Sequence, residues 1–116
     1  MKTTLKTFTM KITWLPFTNH GWGNGYVVIP EGHPAHGKDY DDIHVSVHGG
    51  LTFSALVDEK LLTELADDGV LTKEDIGSWV VGFDTAHFND TLSNWPKEHV
   101  EAETGRLKEQ LENYTE

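Results

Sequence analysis

The chain has 116 residues, of which 37% are hydrophobic and 10% aromatic, enough for one modest core and too many for a disordered chain. Nineteen acidic against nine basic side chains give a formal charge of −10, a surface that repels nucleic acid polymers, whose binding needs clustered Lys and Arg. With no cysteine, disulfides, thiolate metal centres and a cysteine nucleophile are excluded.

The first seventeen residues carry lysines but no unbroken apolar run, so they read as neither a signal peptide nor a membrane span. No repeat, linker or low-complexity segment interrupts the chain, which predicts a single domain over 1–116. Residues 6–15 alternate, with Phe8, Met10, Ile12 and Trp14 on one side and Thr7, Thr9, Lys11 and Thr13 on the other. Period two over this length predicts a half-buried strand. Asn19 to Gly25 reads as a glycine-rich turn, and Tyr26–Ile29 as a second strand stopped by Pro30. Residues 31–41 are rich in turn formers. Ile43–Val47 and Leu51–Ala55 read as two strands, and the Gly49-Gly50 pair between them predicts a hairpin.

A helix is expected over 58–67, with Leu61, Leu62 and Leu65 as its stripe and Asp67-Asp68-Gly69 as its end. Thr72 and Asp75 have the spacing to cap a short helical turn. Trp79–Phe83 is rich in aromatic and β-branched residues, as strands are. A last helix is predicted from about Pro96 to Tyr114, capped by Ser93 or Asn94, with Val100, Leu107, Leu111 and Tyr114 along one face. These elements predict an α+β fold: a small antiparallel sheet packed against a long C-terminal helix and one shorter helix.

Five of the seven histidines, His33, His36, His44, His48 and His87, fall in or near two polar strand ends, where small domains commonly place their chemistry. His44 and His48 stand four residues apart, roughly 13 Å along an extended strand, too far to share one metal ion. His44 reads as an ordinary surface residue. His48 is the better functional candidate, because Gly49 and Gly50 let backbone approach a ligand closely and offer consecutive N–H groups for an anion. Asp84, His87 and Asp90 follow at three-residue steps. Asp84 would orient the His87 imidazole through one nitrogen and leave the other as acid, base or metal ligand. The competing reading makes Asp84 a helix cap. His33, Lys38 and Tyr40 add donors and a ring from the loop, Lys38 being the best local cation for a phosphate. Trp22, in its glycine loop, is the best candidate for an exposed stacking surface.

Three segments carry a resemblance. Gly32-His-Pro-x-x-Gly37-Lys-x-Tyr-Asp, Val47-His-Gly-Gly-Leu-Thr-Phe and Trp79-x-x-Gly-Phe-Asp-x-Ala-His-x-x-Asp90 resemble a family of small uncharacterised bacteriophage and prophage proteins over roughly residues 22–111. The resemblance implies a phage origin and action in the host bacterial cytoplasm. It also implies a counter-defence role, since small non-virion phage proteins often counter host defence, some by sequestering or cleaving nucleotide immune signals. It assigns no catalytic residue. The single His-x-Ser motif, His44-Val-Ser46, lacks the second copy that two-histidine phosphoesterases carry, and no Walker loop, nucleophile elbow or zincin helix is present.

The leading expectation is therefore a pocket that engages a phosphate-bearing small molecule, a nucleotide signal, with a slight lean to hydrolysis. His48 and His87 would act as general acid and base with Asp84 as orienter. His33, Lys38, Tyr40, Gly49, Gly50, Trp22 and Asp90 would bind the ligand. A divalent metal held by Asp and His is a variant of the same idea. The alternatives are a sponge that sequesters without cleaving and an acidic inhibitor of a host enzyme. The last helix would allow a dimer contact without requiring one.

Overall fold

The structure, a computed structural model, describes residues 4–12, 20–65, 71–87 and 89–114. Four strands, β1 (Lys6–Lys11), β2 (Gly23–Ile29), β3 (Phe53–Leu56) and β4 (Trp79–Phe83), form one sheet with two α-helices, α1 (Glu59–Leu65) and α2 (Lys97–Glu112). The strand order is β1-β2-β4-β3 and every pairing is antiparallel. This is the expected α+β fold, with the long C-terminal helix on the sheet. No helix among the described residues is long and apolar enough to cross a membrane.

The sheet is covered on both faces, and the register explains how. Val27 pairs with Val81 and Gly25 with Phe83. Val27, Ile29, Val81 and Phe83 turn to one face and pack with Val100, Leu107 and Leu111 of α2. Tyr26, Val28 and Val80 turn to the other and pack with Phe8, Val57, Leu61 and Leu71. The central strands β2 and β4 thus read as continuous apolar runs because neither of their faces meets water. In β1, Phe8 is buried and Met10 half-buried, with Ile12 buried just beyond its end, in line with the period-two reading, while Trp14 lies outside the described residues.

Three local expectations need correction. First, Gly23-Asn24-Gly25 is not a loop but the first three residues of β2. A Cβ on Gly25 would meet Thr104 Oγ1 and the Phe83 ring, and one on Gly23 would meet the Met10 carbonyl. Glycine stands there because the helix and the neighbouring strand lie too close for a side chain.

Second, Ile43–Val47 joins no strand, so no hairpin forms; β3 starts at Phe53 and pairs with β4. Gly49 and Gly50 do make a turn, both at positive φ, closed by Gly50 N–H donating to the Val47 carbonyl at 2.8 Å. The alternation in 43–47 is real, with Ile43 and Val47 buried and His44 and Ser46 exposed. Within it the Val45 N–H donates to the Ile43 carbonyl at 3.2 Å, and the backbone of Ser46 is held by side chains of α2. Ser46 N–H donates to Gln110 Oε1 at 2.7 Å, and the Ser46 carbonyl accepts from Arg106 Nη2 at 2.9 Å and Gln110 Nε2 at 2.7 Å. A helix face rich in polar side chains has replaced the missing strand.

Third, α2 has Pro96 at its N-cap with no side-chain cap. Asn94 instead closes a turn by accepting from Thr91 N–H at 2.8 Å. The α1 start is capped, with Asp58 Oδ1 accepting from Leu61 N–H at 2.8 Å. Its expected end at 67–69 lies outside the described residues. The turn at Thr72 forms as a 3₁₀ helix over Lys73–Asp75, and Asp75 accepts from Thr72 N–H at 2.9 Å.

Candidate functional site

Three segments that are distant in sequence converge at the end of β4. The chain leaves Phe83 into a loop anchored on β2: Thr85, fully buried, donates to the Gly23 carbonyl at 2.7 Å, and Gly21 N–H donates to the Thr85 carbonyl at 2.7 Å. This anchoring aims His87 and Asp90 at the turn after Val47. Asp90 is 4% exposed. Its Oδ2 accepts from His87 N–H at 2.9 Å and lies 3.2 Å from His87 Nδ1. His48 Nε2 lies 2.9 Å from Asp90 Oδ1 and 3.0 Å from Oδ2. One carboxylate therefore joins both imidazoles, which meet edge to face with centroids 5.4 Å apart. The joining residue is Asp90, where the spacing pointed to Asp84. Asp84 sits on the far side of the His87 ring, with Oδ1 3.2 Å from Nε2.

The surroundings hold this arrangement. The His48 ring packs on Trp95 at 4.1 Å between centroids, and His48 N–H donates to Glu103 Oε2 of α2 at 2.7 Å. Hydrogen bonding from Arg106 holds Glu103 below the usual carboxylate range, burial opposes it, and the His48 N–H adds to the lowering. Burial alone would raise the Asp90 carboxyl, but the His87 N–H and the two imidazoles outweigh it and hold the group below its ordinary value. Thr85, Trp95 and Glu103 had no signature in the sequence; each acts on the site from a segment that only the fold brings near.

Gly49 touches the site directly, since a Cβ there would strike the His87 ring, whereas one on Gly50 would meet nothing. Both residues have positive φ, so alanine strains the turn at either position by about 1 kcal/mol. Gly49→Ala should also push His87 off Asp90, and Gly50→Ala should not. NMR of the imidazole resonances separates them; equal perturbation of His87 in both variants would remove the packing role of Gly49. In this turn the N–H groups of His48 and Gly50 are already committed, to Glu103 and to the Val47 carbonyl.

The other expected ligand residues lie elsewhere. His33 accepts from Ala35 N–H through Nδ1 at 3.0 Å, which leaves Nε2–H to donate to the Leu111 carbonyl at 2.8 Å. Leu111 is two turns of α2, about 12 Å, beyond Glu103, so His33 closes the helix end and stands apart from His48. His36 Nε2 contacts the Gly77 carbonyl at 2.8 Å. Lys38 lies over the Tyr114 ring, 5.6 Å from its centroid, in a separate open groove of about 680 Å³ that His44 and Gln110 also line. Tyr40 is exposed and its N–H donates to Ser54 Oγ at 3.1 Å. Trp22 is half-buried against the α2 core, with Lys97 Nζ 5.6 Å above its ring, and is tied to the site by its N–H donating to the Trp95 carbonyl at 2.7 Å.

His48, His87 and Asp90 each offer a ligand atom, and these atoms lie within 4.8 Å of one another. Two imidazole nitrogens and one carboxylate oxygen suit zinc or a similar divalent ion, and three protein ligands leave a coordination position open. With the ring nitrogens nearest Asp90 given to a cation, His87 carries its proton on Nε2, 3.2 Å from Asp84 Oδ1. The Asp84 charge beside that nitrogen favours this tautomer, although the two atoms are not aligned as a hydrogen bond. The residues present thus fit a cation. Comparison with known proteins finds no protein family, no characterised protein and no solved structure that this chain matches.

Proposed function

We propose that the chain is a small hydrolase of phosphate-bearing small molecules, with nucleotide immune signals of a bacterial host as the substrate class, and that a divalent cation held by His48, His87 and Asp90 organises its site. The observation that carries this reading is the convergence of two imidazoles on one buried carboxylate. The local charge favours the cation version over a purely imidazole one. Asp84, Asp90 and Glu103 surround the centre, and the only arginine, Arg106, is engaged by Glu103 at 2.9 Å and by the Ser46 carbonyl. An anionic phosphate meets repulsion there unless a cation intervenes.

In this role a bound cation would neutralise the phosphate and acidify water. The water oxygen attacks phosphorus, the phosphorus bond to the leaving oxygen breaks, and that oxygen takes up the proton water gives up. His48 and His87 would hold the cation with Asp90 completing the set, and the Asp84 charge would favour the His87 proton on the outer nitrogen. Action in the host cytoplasm as a counter-defence protein belongs to the same proposal, supported by the resemblance to phage proteins. A sponge would hold the same ligand intact.

The test is incubation of the purified protein with linear and cyclic nucleotides, with Zn²⁺ or Mn²⁺ or with chelator, followed by chromatography before and after heat denaturation. Cation-dependent products that disappear in His48→Ala and His87→Ala would support hydrolysis. A ligand that vanishes and returns intact on heating would replace hydrolysis with sequestration. Cobalt titration gives an independent readout: His48→Ala should weaken Co²⁺ binding at least tenfold. Nucleotides left free and intact, together with no Co²⁺ spectrum, would sink the proposal and direct the search to protein partners.

A further inference from the structure

Beside the centre, at the open end of the sheet, lies a second pocket of about 220 Å³ lined by Asn24, Tyr26, Thr52, Phe53, Phe83 and Asp84. It follows from the register. One step beyond the last pair, Gly25 with Phe83, Asn24 faces Asp84 across the strand ends. Tyr26 and Phe53 project from the same side of the sheet and meet edge to face at 5.7 Å between centroids. Thr52 is exposed, so the pocket opens to solvent there.

Two oxygens in it lack partners. Asn24 Oδ1 and Asp84 Oδ1 are buried and accept no hydrogen bond among the described residues. Asn24 is 9% exposed, and its Nδ2 donates to the Tyr26 hydroxyl at 3.2 Å, which leaves the carbonyl end free. Asp84 Oδ1, although 3.2 Å from His87 Nε2, is not aligned with it as a hydrogen bond. A buried acceptor left unpaired costs about 1–3 kcal/mol, so the pocket is built to receive N–H or O–H donors. Two waters would satisfy both oxygens, but the volume is that of about seven, and the remaining walls are largely aromatic. The space is smaller than the roughly 300 Å³ at which pockets for whole ligands begin, so it suits one ring of a larger molecule.

We infer that this pocket is the subsite for an amino-bearing nucleobase, whose exocyclic NH₂ donates to Asn24 Oδ1 and Asp84 Oδ1 while its ring lies against Tyr26 and Phe53. A single NH₂ carries two protons and serves both acceptors. A base with a carbonyl at that position presents an acceptor to a carboxylate and is repelled. The inference deepens the proposed function and rests on it for the phosphate end alone: Asp84 links the two sites, touching His87 on one side and the pocket on the other. A guanidinium could serve the same oxygens but gains less from ring-shaped aromatic walls.

The test uses nucleosides, which carry no phosphate and so do not depend on the metal centre. Adenosine and cytidine should bind at least tenfold tighter than inosine and uridine in calorimetry, and methylguanidine should not displace them. Amide chemical-shift changes in the wild-type protein should centre on Asn24, Thr52 and Asp84. Asn24→Ala should abolish the preference while its circular dichroism stays that of the wild type. Equal affinity for amino and carbonyl bases, no binding of any nucleoside at millimolar concentration, shifts centred elsewhere, or tighter binding of methylguanidine would each overturn the inference. Adding Zn²⁺ with the nucleotide separates the two sites. A preference for amino bases without any gain from Zn²⁺ keeps the pocket and removes the cation centre. A Zn²⁺-dependent gain without base preference does the reverse.

Discussion

Asp90→Ala should abolish the proposed cation binding and hydrolysis together and destabilise the fold by about 2–3 kcal/mol. The side chain is 4% exposed and serves three donors: the His87 N–H, His87 Nδ1 and His48 Nε2. Alanine leaves these facing a void, and the loop that carries His87 loses its tie to the turn that carries His48. Asp90→Asn keeps the volume but offers an NH₂ where an acceptor is needed, so it should also lose activity with a smaller loss of stability. A pH signature distinguishes the charge from the packing. The folded-state pKa of Asp90 is depressed, so as pH falls the unfolded chain takes up its proton first. Stability from this group is present above the ordinary carboxyl value and is lost below about pH 4. Asp75, lowered by Lys6 and Thr72 against the opposing effect of burial, and Glu103, lowered chiefly by Arg106, act with the same sign. Urea midpoints measured from about pH 3 to pH 7 should therefore fall on the acid side in the wild type, and less steeply in Asp90→Asn. An unchanged midpoint in Asp90→Ala would show that the carboxylate does not hold the site together.

The parts of this fold that were legible in the sequence are those whose pattern is local. Trp79–Phe83 is the strand its composition announces. Val100, Leu107 and Leu111 are the buried face of α2 because their spacing returns to one side of a helix. Ile43–Val47 marks the limit. Alternation reports that one side of an extended segment is buried, and it was right about that; it cannot report which backbone lies alongside. Here the partner is a row of helix side chains, Arg106 and Gln110, sixty residues or more away. Gly23-Asn24-Gly25 failed for the opposite reason. Its glycines look like a turn until Thr104 and Phe83 are seen to need the room.

The site follows the same division. His48, His87, Asp84 and Asp90 stand out because titratable groups gather at strand ends, and the fold brings all four together. Their roles were not legible, because the three-residue steps from Asp84 to His87 and from His87 to Asp90 are equal in sequence. Burial decides between them: Asp90 is enclosed and joins both rings, while Asp84 is 29% exposed and touches one. His33 and Lys38 resemble ligand residues in composition but are used at the end of α2, where the carbonyl of Leu111 and the ring of Tyr114 hold them.

Gly25→Ala should cost about 2–3 kcal/mol, although alanine in place of glycine ordinarily stabilises a strand by about 0.4–1 kcal/mol through the unfolded state. The added methyl would meet Thr104 Oγ1 and the Phe83 ring, both in the layer between β2 and α2. Thr104 is 3% exposed, and its hydroxyl is already committed, donating to the Val100 carbonyl at 2.7 Å. It cannot swing away without losing that bond, and the helix cannot retreat without opening the contacts of Leu107 and Leu111, which are fully buried. The clash is therefore shared between two residues, which makes it separable by a double-mutant cycle. Thr104→Ala removes the hydroxyl that the new methyl would strike and should recover roughly 1 kcal/mol or more of the loss in the Gly25→Ala background. The remainder belongs to Phe83, whose ring is packed in the α2 core. Strictly additive urea midpoints across the cycle would mean that the close approach of α2 to β2 is not what holds position 25 to glycine.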